Sequence, residues 1–118
     1  PTPAQHALVA ATLELWRQAP TQPPGPEALQ PLDPELRGWL FAQALLVRVG
    51  PELLFLPETV EAMVAWVTAH VDAGNPLTLA QFRDHWRTTR KYAQALLEHT
   101  DALGITRRVG DERIAATS

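Results

Sequence analysis

The chain has 118 residues, of which 46% are hydrophobic, and its ten basic and thirteen acidic side chains give a formal net charge of -3. This balance excludes a chain that binds polyanions with its whole surface, so any nucleic-acid site must be a local patch. The absence of cysteine excludes disulfides, zinc sites built on thiolates and cysteine nucleophiles.

The first half of the chain predicts two helices and a hairpin. Residues 4–19 have helical spacing, and the proline-rich stretch that follows ends this helix. After a short helical turn near residues 27–30, Asp33 is a typical N-cap for a second helix, with Pro34 in its first turn. Strands at 45–49 and 53–56 follow, joined by a turn at Gly50-Pro51-Glu52. The residues expected to face the core from the two helices are Leu8, Ala11 and Leu15, then Leu36, Trp39 and Leu40.

The second half repeats this order. Pro57 begins a helix with apolar residues at helical spacing, and Gly74-Asn75-Pro76 ends it. A short segment, 77–79, leads into a helix over 80–86. Thr88 or Thr89 can cap a third helix, which runs to Leu103 and ends at Gly104. Strands at 105–109 and 113–115 are expected to pair across Gly110-Asp111.

A short internal sequence repeat supports two copies of one structural unit. Arg48-Val49-Gly50 and Arg108-Val109-Gly110 lie 60 positions apart, each after a predicted helix and before a second strand. Helices followed by a hairpin are the order of a winged helix, an elaborated helix-turn-helix. We therefore predict a mainly α protein with small β-hairpins (α+β), built from two tandem winged-helix units at residues 1–56 and 57–118.

Basic residues are concentrated in the second unit. Residues 1–56 contain three of the ten, and residues 57–118 contain seven. Arg90 and Lys91 begin the third helix of that unit, while Arg107, Arg108 and Arg113 lie on its predicted wing. A helix start and arginine side chains are both suited to phosphate oxygens. Because strand residues alternate in direction, only one of Arg107 and Arg108 is expected to contact a bound nucleic acid directly.

Catalytic patterns are weak. The four histidines have no metal-binding spacing, the six glycines form no phosphate-binding loop, and the only serine is the last residue. The four tryptophans fall within predicted helices, where packing is the expected role, and Trp86, beside the basic helix start, is the candidate for base stacking. We expect no enzymatic activity and no cofactor in this chain.

The second unit carries motifs that resemble a known family. In order, these are Leu79-Ala80-Gln81-Phe82-Arg83-Asp84, Thr88-Thr89-Arg90-Lys91-Tyr92-Ala93, Ala95-Leu96-Leu97-Glu98 and Gly104-Ile105-Thr106-Arg107-Arg108-Val109-Gly110-Asp111. They resemble the C-terminal end of the bacterial SelB family, the selenocysteine-specific translation elongation factors. The first unit resembles the preceding winged helix of that family by architecture only.

The resemblance implies that a GTPase carrying selenocysteinyl-tRNA precedes this region and that the last winged helix binds the selenocysteine insertion hairpin of an mRNA. It also implies the ribosome as a partner and a spacer role for the first unit. The RNA-binding positions that it implies are Thr88, Thr89, Arg90, Lys91, Arg107, Arg108, Gly110 and Arg113. One departure is His85-Trp86-Arg87, which stands where the family tends to have leucines and a glycine, and Arg87 adds a potential phosphate contact there.

Two other functions fit the same pattern. The fold and basic patch also suit a DNA-binding transcription regulator, and the apolar first hairpin suits a protein-interaction module. The chain begins with Pro1-Thr2-Pro3, without a starting methionine or a signal-peptide pattern, and has no run of about 18 apolar residues. We therefore expect a fragment of a longer cytoplasmic protein, monomeric and without a membrane partner.

Overall fold

The computed structural model describes residues 1–117. The chain divides into two compact units, Pro1–Pro57 and Glu58–Ser118. The first consists of α1 (Pro3–Gln18), a 3-10 turn (Pro26–Leu29), α2 (Pro34–Ala42) and the antiparallel hairpin of β1 (Val47–Val49) and β2 (Leu53–Phe55). No helix among the described residues is long and apolar enough to span a lipid bilayer.

The core of the first unit is an apolar cluster that all of its helices share. Trp16 is fully buried in it, and its indole Nε1 donates a hydrogen bond to the Leu54 carbonyl at 3.0 Å. The cluster also contains Val9 and Leu13, so the buried face of α1 lies one position away from the predicted one. Leu8 and Leu15 are 38% and 46% exposed. The predicted face of α1 was wrong because residues 7–13 are almost continuously apolar, and the bulk of Trp16 decides which stripe turns inward.

The ends of α2 follow the local chemistry of the sequence. The Asp33 carboxylate accepts a hydrogen bond from the Leu36 amide at 2.8 Å, as the predicted N-cap requires. At the other end, the Ala44 amide donates to Phe41 and the Leu45 amide donates to Leu40, the two bonds of a Schellman motif. Ala44 occupies the left-handed position of that motif with φ +53, where glycine is usual.

The second unit adds one strand to the same order. It contains α3 (Pro57–Asp72, which begins at the unit boundary), β3 (Leu77–Thr78), α4 (Leu79–Trp86), α5 (Arg90–Ala102), β4 (Thr106–Val109) and β5 (Glu112–Ala115). Its sheet has the order β3-β5-β4, with Leu77 opposite Arg113. The predicted lead-in segment at 77–79 is therefore partly an edge strand. Two residues are too few to show the alternation of apolar and polar side chains by which a strand is predicted.

The predicted winged-helix order is confirmed, and the sequence repeat has a structural basis. The Schellman motif that ends α2 at Ala44 recurs 60 positions later at the end of α5. There the Gly104 amide donates to Asp101 and the Ile105 amide donates to Thr100. Arg48 and Arg108 then occupy the same place in the first strand of each hairpin. The wing of the second unit is one residue shorter at its turn, where Gly110 at φ +62 occupies the first of two central positions, as in a type II′ turn.

Candidate nucleic-acid interface

A polar cleft of about 440 Å³ lies between α4, α5 and the wing of the second unit. We call it the basic cleft, because four arginines line it, one each from α4, α5 and the two strands of the wing, together with a single carboxylate. Its lining residues are Thr78, Leu79, Ala80, Arg83, Arg90, Gln94, Arg108, Asp111 and Arg113. The arrangement places the start of α5 and the wing on one cleft.

The wing presents its two adjacent arginines to opposite sides. Arg108 lies directly opposite Arg113, and Arg107 lies opposite Ile114. Since paired residues in an antiparallel ladder share a face, Arg108 and Arg113 point to the basic cleft and Arg107 points to the other side of the hairpin. Arg108 is exposed, and its Nε donates to the Gly110 carbonyl at 2.9 Å, which orients the guanidinium and fixes it to the turn.

Arg113 does not fit the prediction of an exposed phosphate contact. Its side chain is only 6% exposed, and its Nη2 lies 2.9 Å from Oδ2 of Asp101 in the last turn of α5. The guanidinium is therefore a buried, paired part of the cleft wall rather than a free cation at its rim. The partner is 12 residues away along the chain, so spacing within the wing could not reveal it.

The turn between α4 and α5 contains three more of the predicted positions. Arg87 is the C-cap of α4 and adopts the left-handed conformation (φ 52, ψ 46), so the backbone keeps the geometry that favours glycine even though arginine stands there. Thr88 is only 8% exposed, which is at odds with its predicted role as a surface contact. Thr89 is exposed and is the N-cap of α5, and no capping hydrogen bond from its side chain occurs within residues 1–117.

Lys91 and Gly110 lie near the basic cleft without lining it. The Lys91 ammonium is exposed and stands 5.1 Å from the centre of the Tyr92 ring, which holds it on the outer surface of α5. Gly110 forms the tip of the wing, where its backbone, rather than a side chain, is available to a ligand.

Arg83 is a cleft residue that the sequence-based prediction missed. It comes from α4, its side chain is 41% exposed, and its Nε lies 3.0 Å from Oδ1 of Asp84. This ion pair is exposed, so solvent screens it and it holds the guanidinium only weakly. The only available signal was the position of Arg83 four residues after Leu79, which puts both on one face of α4.

The aromatic residues of the second unit pack against one another. The Trp66 ring stacks on His85 with centroids 4.3 Å apart, and Trp86 meets Trp66 edge-on at 6.2 Å. The Trp86 indole N–H is buried without a hydrogen-bond partner among the described residues. Trp86 is therefore mainly a packing residue, and the alternative of an open stacking platform for bases does not fit its position. Within residues 1–117, no group of three or more metal-binding side chains is present.

Three comparisons place these features among known proteins. Residues 69–115 match the family model described as elongation factor SelB, winged helix. The selenocysteine-specific elongation factor of Desulfomicrobium baculatum is 28% identical over 74 residues, which cover 63% of this chain and 12% of that protein. The chain therefore corresponds to a small part of this relative.

Two solved structures share the architecture of the whole chain. The mRNA-binding domain of elongation factor SelB from E. coli, solved in complex with SECIS RNA, has a TM-score of 0.64 at 17% identity, covering 97% of this chain and 98% of that one. A bacterial selenocysteine-specific elongation factor EF-Sec has a TM-score of 0.67 at 21% identity, covering 97% of this chain and 18% of that one. These similarities establish the tandem winged-helix fold.

Proposed function

We propose, from the premise that residues 69–115 are a winged helix of the SelB family, that this chain is the mRNA-binding part of a selenocysteine-specific elongation factor. The second unit binds the selenocysteine insertion hairpin, and the first serves as a spacer. The longer protein is a cytoplasmic GTPase that delivers selenocysteinyl-tRNA to the ribosome. The segment itself performs no catalysis, uses no cofactor and acts as a monomer.

The observation that carries this proposal is the convergence of Arg83, Arg90 and Arg108 on one cleft. Three guanidinium groups from two helices and a wing can engage successive phosphates of one strand, and each can donate two parallel hydrogen bonds. The chain has a formal charge of -3, so this local concentration stands out from an acidic background. Asp111 at the rim opposes a polyanion there and limits how deeply a phosphate enters.

Several predicted positions surround these three arginines. Arg87, Thr89 and Lys91 are exposed around the start of α5, and Gly110 is at the wing tip, so all four are proposed as outer contacts. Arg107 faces away from the basic cleft and is proposed to contribute only long-range attraction to the RNA. Thr88 and Arg113 are buried and are proposed to support the exposed contact residues without contacting RNA themselves. Side chains cannot enter the major groove of A-form RNA, so the hairpin is recognised by its shape and its unpaired loop.

The test is a titration of the full 118-residue chain with the selenocysteine insertion hairpin of its own organism at several salt concentrations. Competitors are a hairpin with the same stem and a scrambled loop, and a DNA duplex of equal charge. The proposal predicts preferential binding of the cognate hairpin with a steep salt dependence. Equal binding of all three nucleic acids contradicts the assigned specificity, preference for the duplex indicates a DNA-binding regulator, and no binding at all contradicts the function.

A further inference from the structure

A polar network, buried except for its partly exposed Asp101 carboxylate, fastens the wing of the second unit to the end of α5. The Asp101 carboxylate accepts hydrogen bonds from the Thr106 hydroxyl at 2.6 Å and from Arg113 Nη2 at 2.9 Å. Thr106 opens β4 and Arg113 lies in β5, so one carboxylate holds both strands of the wing. The Thr106 hydroxyl gives its proton to Asp101, so the Thr100 hydroxyl, which lies 2.8 Å from it, donates its single proton either to Thr106 or to the Leu97 carbonyl of α5. We call these four residues, Thr100, Asp101, Thr106 and Arg113, the wing network.

The first unit shows that the fold does not require a polar network at this place. Arg48 pairs with Leu54 as Arg108 pairs with Arg113, and the helix-ending bonds relate Leu40 and Phe41 to Thr100 and Asp101. The position equivalent to Thr106 is Leu46. Leu40, Leu46 and Leu54 are buried in the apolar core of the first unit, and Phe41 packs against it. The same junction of helix and hairpin is thus made by four apolar side chains in one unit and by four polar ones in the other.

Buried polar groups are a costly way to hold a hairpin, because each must be desolvated and every partner must be satisfied. Apolar residues of similar volume hold such junctions as well or better. A polar network has directional bonds, however, and therefore fixes an angle that apolar contacts leave less defined. The polar network occurs in the unit that carries the basic cleft, and the apolar junction occurs in the other unit.

The network lies where it can control the cleft. Arg113 is part of the cleft wall, and Arg108 stands directly opposite it on the wing. Arg90 is eleven residues before Asp101 on α5, which is about 16 Å along the helix axis. A small rotation of the wing at Asp101 therefore changes the separation between Arg108 and the arginines of the two helices.

The network also sets the charge of the cleft. The Arg113 guanidinium is positively charged and lines the cleft together with three other arginines, although its side chain is only 6% exposed. Its pairing with Asp101 neutralises a buried cation, so the charge left for a ligand is that of Arg90 and Arg108 and of Arg83, whose ion pair with Asp84 is screened by solvent. Those are the groups that a phosphate can reach.

From these observations we infer that Thr100, Asp101, Thr106 and Arg113 are positioning residues, which hold the wing at the angle that lets Arg108 bind a phosphate together with Arg90 and Arg83. The inference rests on the proposed RNA-binding function of the basic cleft. None of the four is itself a phosphate contact. Their role is to hold the wing and the two helices as one site of fixed spacing.

The first test replaces the network by the residues of the first unit, Thr100→Leu, Asp101→Phe, Thr106→Leu and Arg113→Leu together, in the full chain. The variant is expected to be folded, with a melting temperature equal to or above that of the parent. Its affinity for the selenocysteine insertion hairpin is expected to fall about tenfold, which corresponds to one charge-assisted contact. Residual dipolar couplings of backbone amides are expected to report a changed angle between the wing and α5.

The second test needs no repacking. Thr106→Val removes the hydroxyl that binds Asp101 and leaves shape and net charge unchanged, and Thr106→Ser retains the hydroxyl. Thr106→Val is expected to weaken hairpin binding by roughly three- to tenfold, since one neutral-to-charged hydrogen bond is lost, whereas Thr106→Ser stays within about twofold of the parent. A purely structural role predicts that the melting temperature changes in both variants and that affinity changes in neither.

The outcomes separate this inference from the proposed function. If the parent does not bind the hairpin, the function itself is contradicted. If the parent binds and both the fourfold variant and Thr106→Val bind equally well, the inference is overturned and the function stands. An affinity loss in Thr106→Val without a change in wing angle also overturns it, because positioning is then not the cause.

Discussion

Arg107 and Arg108 carry the same charge on adjacent residues of β4, so they form a matched pair for testing which side of the wing binds RNA. Arg108 shares a face with Arg113 and lines the basic cleft, whereas Arg107 lies opposite Ile114 on the other face. Both side chains are exposed, and neither substitution by alanine removes core packing. The two variants therefore have equal net charge and differ in the direction of the lost guanidinium and in the hydrogen bond that Arg108 makes to the Gly110 carbonyl.

The expected loss of binding free energy for Arg108→Ala follows from the contacts that Arg108 makes. A hydrogen bond between charged groups contributes about 1.5–3 kcal/mol, and the lower value applies because Arg108 is exposed and its Nε is already bound to the Gly110 carbonyl. A loss of about 1.5 kcal/mol raises the dissociation constant of the hairpin about tenfold. Loss of one phosphate contact also lowers the slope of log K against log salt by roughly 0.7–0.9. For Arg107→Ala, long-range attraction alone changes, so we expect less than about a threefold effect.

The assay is fluorescence anisotropy with a labelled hairpin at four or more salt concentrations. Arg48→Ala is the matched control in the first unit, because Arg48 holds the place of Arg108 in the other wing and its guanidinium rests on the Phe41 ring at 4.9 Å. We expect Arg48→Ala to bind like the parent. Equal losses for Arg107→Ala and Arg108→Ala, in folded proteins, refute the assignment of the cleft as the binding face.

Three further predictions concern backbone geometry and the start of α5. Ala44→Gly is expected to stabilise the first unit by about 0.5–1 kcal/mol, because Ala44 has φ +53 at the position that Gly104 occupies in the second unit. The expected result is a rise of several degrees in the melting temperature, and a lower melting temperature contradicts this prediction. Arg87→Gly is expected to stabilise the second unit by a similar amount and to weaken hairpin binding. Calorimetry measures the stability and fluorescence anisotropy measures the affinity, and an unchanged affinity removes Arg87 from the site. Arg90→Ala is expected to lower the salt slope by about one, and Lys91→Ala by less, since only Arg90 lines the cleft; the reverse order contradicts this geometry.

The fold could be predicted from the sequence because its boundaries depend on local chemistry. Asp33 caps α2, Gly104 ends α5, and Gly110 turns the wing, and each effect acts within a few residues. The buried face of α1 could not be predicted in this way. Its apolar residues satisfy two helical stripes equally well, and tertiary packing around Trp16 makes the choice.

The candidate site was only partly predictable for a related reason. Strand alternation shows that Arg107 and Arg108 face opposite ways, but it does not show which side of the hairpin lies against the helices. The pairing of Arg113 with Asp101 connects a strand to a helix 12 residues earlier, and the arrival of Arg83 in the cleft depends on the packing of α4. Charge density along the sequence therefore indicated the unit that carries the basic cleft, while the choice among its arginines required the tertiary structure.

The most direct test of the basic cleft is to follow the arginine Nε–Hε signals by NMR while the selenocysteine insertion hairpin is titrated into the full chain. The account predicts that the signals of Arg83, Arg90 and Arg108 shift most and together, that Arg113 changes little because it stays paired with Asp101, and that Arg48 in the first unit is unaffected. Shifts centred on Arg107, or on the first unit, with Arg90 and Arg108 unchanged, would contradict it.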